Sequence, residues 1–252
     1  MMNWNYEPEM SKYGNKMIPA TKQLIVFLTG WIGFRILAAL IQIIVISVCS
    51  IKGIDGVDYL NNVDGAMLVN TASYMSLLIA IVLIVNFDIK KLFQSFTNWQ
   101  SYLAGVICLL AIFAFNIVYG MFLRLLPLPT SDNANESSIN TISNTYRITS
   151  LIVFGLIGPI CEEFTYRVGL FSFLKRKSRI LAYVLTIIIF AFIHFNISLK
   201  WETLVNELLN LPYYMFAAFA FSYTYEKYGL AGSLTAHIAN NLISLSLVSA
   251  IH

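Results

Sequence analysis

The sequence predicts an all-α fold, a polytopic bundle of transmembrane helices. Three observations carry this. Apolar residues make up 58% of the 252-residue chain and charged residues only 12%, about half the charged share of an ordinary soluble domain. Mean hydropathy is +0.71. The apolar residues also gather in runs of about 20, the length that crosses the hydrocarbon core of a bilayer. With 16 basic and 13 acidic residues, the chain has too few charges to cover a soluble surface. The same numbers exclude a disordered chain, collagen, a coiled coil and a disulfide scaffold. A net charge of +3, with basic residues scattered between apolar runs, gives no nucleic-acid footprint. The partner the composition demands is the lipid bilayer.

Seven runs qualify as spans, with eight as the alternative: 22–51, 66–87, 102–128, 148–173, 180–197, 208–225 and 230–251. The first is too long for one straight crossing, so its helix tilts or starts along the interface. Arg35 lies inside it and either snorkels or faces a partner helix. The second and third runs are almost free of charge. The fourth holds Pro159, which removes a backbone donor and frees the carbonyl of Gly155 if the helix is regular. The fifth ends near 197, and 196–210 is a candidate for a short surface helix. The sixth is rich in aromatic residues and alanine. The seventh carries Ala231, Gly232, Ser233, Ala236 and Ala239, small residues that let helices approach closely.

About 20 polar residues precede the first run, and that run is much longer than the apolar part of a signal peptide, so a retained anchor is expected. The stretch 129–146 is rich in Ser, Asn and Thr and reads as a flexible loop. A cytoplasmic N-terminus puts ten basic residues, from Lys12 to Lys227, on inner segments and only Lys52, Arg147 and Lys200 on outer ones. The positive-inside rule therefore predicts a multi-pass cell-membrane protein with its N-terminus in the cytoplasm. Nothing divides the chain: 1–252 reads as a single membrane domain, with the chemistry confined to 148–249. Cys49, Cys108 and Cys161 lie in apolar runs without CxxC spacing and read as small apolar packers.

An ionisable side chain at bilayer depth costs about 2.5–3.5 kcal/mol on insertion scales, so each is a functional candidate. The candidates here are Glu162, Glu163, Arg167, His194 and His237, with Asn241 as a strongly polar addition. Glu163 and Arg167 stand four apart and share a helix face. Glu162 is turned about 100° away, so unless the helix distorts it faces a cavity or another helix. Phe190 and His194 share a face in the same way, as do His237 and Asn241. Asn240 points elsewhere and reads as an interhelical hydrogen bonder. At about 1.5 Å per residue, Glu162, His194 and His237 fall at depths compatible with one site.

A carboxylate, two imidazoles and an amide form a hydrolytic set. Glu serves as general base on water, and His shares that proton or protonates the leaving amine. A second His and an Asn donate to a tetrahedral oxyanion. The alternative is a divalent metal such as zinc on Glu162, His194 and His237. There is no HExxH and no GxSxG, so neither the usual zinc-peptidase geometry nor a serine nucleophile is expected.

The motifs EExxxR (Glu162, Glu163, Arg167), FxxxH (Phe190, His194) and HxxxN (His237, Asn241), in this order on separate helices, resemble the CPBP family of intramembrane proteases. That family comprises the type II CAAX prenyl endopeptidases and the bacteriocin-processing and self-immunity (Abi) proteins. The resemblance implies an intramembrane endopeptidase acting on a membrane-associated peptide or protein, such as a CAAX-type tail or a bacteriocin or pheromone leader. It implies that Glu162 and His194 activate water, that His237 and Asn241 stabilise the oxyanion, and that Glu163, Arg167 and Phe190 support them. Members are also often labelled metalloproteases. A substrate arriving from the cytoplasmic leaflet would suit the assigned topology. The competing classes are a proton-coupled transporter, which also uses buried Glu, Arg and His, and a non-catalytic self-immunity protein on the same fold.

Overall fold

The computed structural model describes residues 17–126 and 131–248, and among them every regular element is helical. Eight helices follow one another: α1 (Ala20–Ile51), α2 (Gly56–Asn61), α3 (Val63–Val85), α4 (Trp99–Arg124), α5 (Ala134–Thr145), α6 (Arg147–Lys175), α7 (Arg179–Phe192) and α8 (Trp201–Val248). Four helical stretches, Ala20–Ile51, Val63–Thr97, Trp99–Arg124 and Arg147–Lys175, are long and apolar enough to cross a membrane. Helix α7 is a shorter apolar helix, and α8 is broken at Gly229, whose φ of 78° only glycine adopts readily. Counting the two halves of α8 separately gives one helical segment for each of the seven apolar runs. Lys12 and Lys16, the tail of the third run, the start of the 129–146 stretch and the end of the seventh run lie outside the described residues.

Helix α1 is continuous over its 32 residues, with one wide turn at Thr29–Gly33. Arg35 folds back on its own helix, donating to the Trp31 carbonyl at 2.8 Å. The sixth span starts earlier than expected. Helix α8 begins at Trp201 and runs on through Pro212, so the candidate surface helix at 196–210 is largely its first turns. Helix α7 ends at Phe192, not near 197.

The 129–146 stretch is the largest departure from expectation, because most of it is the helix α5. Asn133 caps it by accepting from the Glu136 N–H at 2.9 Å, and Ile142 on its inner face joins an apolar cluster with Met67, Val153, Phe154 and Leu245. The buried Glu207 of α8 accepts from the Ala134 N–H at 2.8 Å and from the Asn196 N–H at 3.0 Å, tying the start of α5 to the rest of the bundle. The stretch is a docked cover, held by caps that its polar composition conceals.

The two ends of the bundle differ in charge. At one end Lys22 pairs with Asp88 at 2.6 Å, and Lys175 and Arg179 both pair with Glu226 at 3.1 and 2.9 Å. At the other, Tyr146 donates to Asp64 at 2.6 Å. Helices α4 and α8 meet at small residues: a Cβ on Gly105 would stand 2.7 Å from the Gly232 carbonyl. This is the close approach that the small residues of the seventh run lead one to expect.

Candidate functional site

Helix α6 positions both carboxylates, and it is not a regular helix. It widens at Val153–Ile157 and again at Glu163–Phe171 into π-type turns, in which an N–H reaches the carbonyl five residues back. In the first, the Gly158 N–H bonds the Val153 carbonyl. The next N–H in that register belongs to residue 159, which is proline and has none. In the widened register the carbonyl left without this donor is that of Phe154. Asn241 fills the gap, its Nδ2 donating to the Phe154 oxygen at 3.0 Å. The second widening matters for the carboxylates, since more residues per turn means that adjacent side chains diverge less.

Both glutamates consequently reach one imidazole. His237 Nδ1 lies 2.9 Å from Glu163 Oε1, and His237 Nε2 lies 3.6 Å from Glu162 Oε2. The first is a hydrogen bond; the second is too long for one. Glu163 also holds Arg167, with Nη1 to Oε1 at 3.1 Å, and both side chains are fully buried. The division of labour expected from spacing is present: Glu163 is engaged by Arg167, while Glu162 retains partial exposure and lines a cavity.

His194 sits just past the end of α7. Its Nδ1 is 2.9 Å from the Phe190 carbonyl. A carbonyl can only accept, so Nδ1 carries the proton and the neutral ring presents Nε2 as a bare acceptor. The same argument places a proton on His237 Nδ1, facing the Glu163 carboxylate. Tyr214 stacks on His194 with ring centroids 4.4 Å apart, and Phe221 stacks on His237 at the same distance. Arg167 lies between two aromatic faces, 4.5 Å from Phe190 and 5.3 Å from Phe221.

A cavity of about 730 Å³ joins these groups. Glu162, His194, His237 and Asn241 all line it, as does Phe190. Asn240 lines it too and donates to Asn241 Oδ1 at 3.3 Å, so it is not the interhelical bonder expected. Cys161 packs at 1% exposure against the Tyr74 carbonyl, the packing role read for it. Phe221, Tyr214 and Glu207 are the supporting residues that sequence reasoning did not single out.

The zinc alternative requires Glu162, His194 and His237 to converge on one point. Among the described residues, no three His, Cys, Asp or Glu side chains are grouped so as to hold an ion. The bond from His237 Nδ1 to Glu163 does not itself bear against a metal, because it leaves Nε2 of that ring able to ligate.

Fold and site together define a multi-pass α-helical membrane protein with a carboxylate–imidazole–amide cluster lining an internal cavity. Residues 144–243 match the family of type II CAAX prenyl endopeptidases, Rce1-like, so this segment carries the signature that the three motifs resemble. The chain is also 23% identical over 171 residues to an uncharacterised protein of Mycoplasma capricolum subsp. capricolum; the match covers 64% of this chain and 48% of that protein. It thus spans about half the length of that relative. No solved structure matches.

Proposed function

We propose that this chain is an intramembrane endopeptidase that hydrolyses a peptide bond in a membrane-associated peptide or protein. The observation that carries the proposal is the common orientation of the two imidazoles. Each has its Nδ1 proton tied to an acceptor, Phe190 for His194 and Glu163 for His237, which leaves Nε2 of each for the reaction.

In this reading Glu162 takes a proton from water as the water oxygen bonds to the carbonyl carbon. The carbonyl π electrons move onto oxygen, and the resulting oxyanion is met by the second N–H of Asn241 and by His237. To donate from Nε2, His237 acts as imidazolium, with Nδ1–H held on Glu163. When the C–N bond breaks, the proton on Glu162, shared with His194 Nε2, passes to the leaving amine. General acid–base transfer of this kind contributes about 10²–10⁴-fold, and each oxyanion donor about 10²–10³-fold. Glu163, Arg167, Phe190 and Phe221 hold His237 and the widened turn in place. A CAAX-type tail is the substrate class nearest to the family match, a bacteriocin or pheromone leader is the alternative that the motif resemblance adds, and the cell membrane is the proposed location.

The test is cleavage of a panel of C-terminally lipidated and leader-type peptides by purified protein in detergent micelles, with and without a chelator. Glu162→Gln and His237→Ala should each abolish cleavage while the protein still folds. Cleavage that survives both substitutions would sink the site assignment; cleavage lost to the chelator would replace the Glu162 mechanism with a metal-dependent one.

A further inference from the structure

We infer that the catalytic cavity opens on the non-cytoplasmic side of the membrane, so that the substrate is a peptide segment presented from outside the cytoplasm. For the substrate this rests on the endopeptidase reading; for the orientation of the cavity it does not.

Three observations converge. The first is the placement of charge. The chain passes back and forth, so the ends of its helices can be assigned to one face or the other from their contacts. Lys22, Lys175 and Arg179 share an end with Asp88 and Glu226, and Lys90, Lys91, Arg176, Lys177 and Lys227 lie on the same turns. The opposite end has Lys52, Arg124, Arg147 and Lys200, against the acidic Asp55, Asp58, Asp64, Asp132, Glu136, Glu202 and Glu207. Basic residues in short connections stay on the cytoplasmic side, so the end with α5 faces away from it.

The second observation is the wall of the cavity. From Glu162, Phe190 and His237 it runs past Asn116 and Tyr213 to Arg124, Asp132, Glu136 and Asn140 at the α5 end. No residue of the basic end lines it. The third is the seal on the other side. Arg167, Phe171, Phe221 and Tyr225 are each at most 2% exposed, and Ser172 bridges the Arg167 carbonyl at 2.8 Å and the Tyr225 hydroxyl at 2.9 Å. This layer separates the glutamates from the basic end. The expectation of a substrate from the cytoplasmic leaflet is therefore replaced: the positive-inside topology and the cavity point to opposite faces.

The consequence for substrate is chemical and positional. The scissile bond belongs to a leader, tail or anchor whose cut position has already crossed the membrane, and the reaction that supplies it is translocation.

Cysteine accessibility in intact cells tests this without activity. The native cysteines Cys49, Cys108 and Cys161 are buried, so introduced ones report. Ser138→Cys sits on the exposed face of α5, Ser244→Cys on the cavity wall, and Lys177→Cys is exposed at the basic end. With a small membrane-impermeant thiol reagent, Ser138→Cys and Ser244→Cys should react in intact cells. Lys177→Cys should react at least tenfold more after permeabilisation. A protected Ser138→Cys, a Ser244→Cys that fails to react from outside, or equal labelling of Ser138→Cys and Lys177→Cys overturns the inference. Inactivity of the purified protein on every peptide would count against the endopeptidase and leave these labelling results standing.

Discussion

Asn241 donates its side-chain amide to the Phe154 carbonyl at 3.0 Å, and that carbonyl is free because residue 159 is proline. A backbone deficit on α6 is thereby made into an orientation device for a residue of α8. With one amide proton on Phe154 and Oδ1 on Asn240, the second amide proton of Asn241 has a fixed direction.

Pro159→Ala restores an N–H that competes for the Phe154 oxygen. The expected result is a fall in kcat of about 10²-fold, the usual effect of losing one oxyanion donor, with little change in KM. In an Asn241→Ala background the same substitution should cost almost nothing further. A double-mutant cycle on peptide cleavage reads this coupling; strictly additive losses would show that Pro159 acts on the helix alone.

Arg167 is the residue most exposed to a stability penalty. It is fully buried, pairs with Glu163 at 3.1 Å and lies between Phe190 and Phe221. Removing one partner of a buried ion pair leaves an uncompensated charge and costs about 3–5 kcal/mol. Arg167→Met should lower the thermal unfolding midpoint in micelles sharply, and Arg167→Lys only partly less, because lysine lacks the planar group that stacks. Adding Glu163→Gln to Arg167→Met should recover part of the loss, while Glu163→Gln in the native background destabilises.

The motif residues were legible for a physical reason. A carboxylate or imidazole inside an apolar run has no cheap explanation, so Glu162, Glu163, Arg167, His194 and His237 stand out one by one. Phe221 and Tyr214 do not, since they are two of 18 Phe and 14 Tyr and their stacking depends on how the first half of α8 folds against its second half and against the end of α7. The break at Gly229 falls in the gap between the runs 208–225 and 230–251, whereas the widened turns of α6 left no such sign, because spacing rules assume a regular helix. Helix α5 left one local sign that composition overrode: Asn133 followed three residues later by Glu136, with Ile139 and Ile142 at helical spacing.

Glu136 gives α5 a pH dependence. Its side chain faces the cavity. The protein packed around this side chain, which still keeps contact with solvent, and then the charge of Asp132, push its carboxyl up to about 6. In an undocked or unfolded chain the value is about 4.3. Between those two values the docked helix binds a proton that the undocked one does not, so docking is strongest below about 4.3 and weakens as pH rises through 6. Hydrogen-exchange protection factors across Ala134–Thr145 should fall from pH 5 to pH 7 and level off above it. Glu136→Gln should flatten that profile, and a profile that still falls in the variant would assign the dependence to another group.

The surroundings of Gly105 on α4 and Gly33 on α1 predict opposite signs for their substitution by alanine. A Cβ on Gly105 would stand 2.7 Å from the Gly232 carbonyl and 2.7 Å from Thr235 Cβ, and a backbone oxygen cannot swing aside. Gly105→Ala must push the second half of α8 away from α4, at about 1–3 kcal/mol for an overpacked contact. That half carries His237 and Asn241, so activity should fall with stability. On Gly33 a Cβ would meet nothing nearer than Thr29 Cγ2 at 3.7 Å, an ordinary contact. There the helix gains about 0.5–1 kcal/mol from losing glycine's conformational freedom, and Gly33→Ala should raise the unfolding midpoint with cleavage unchanged. Equal effects from the two substitutions would mean that α4 and α8 do not pack through Gly105, and that His237 is placed by α6 without help from that contact.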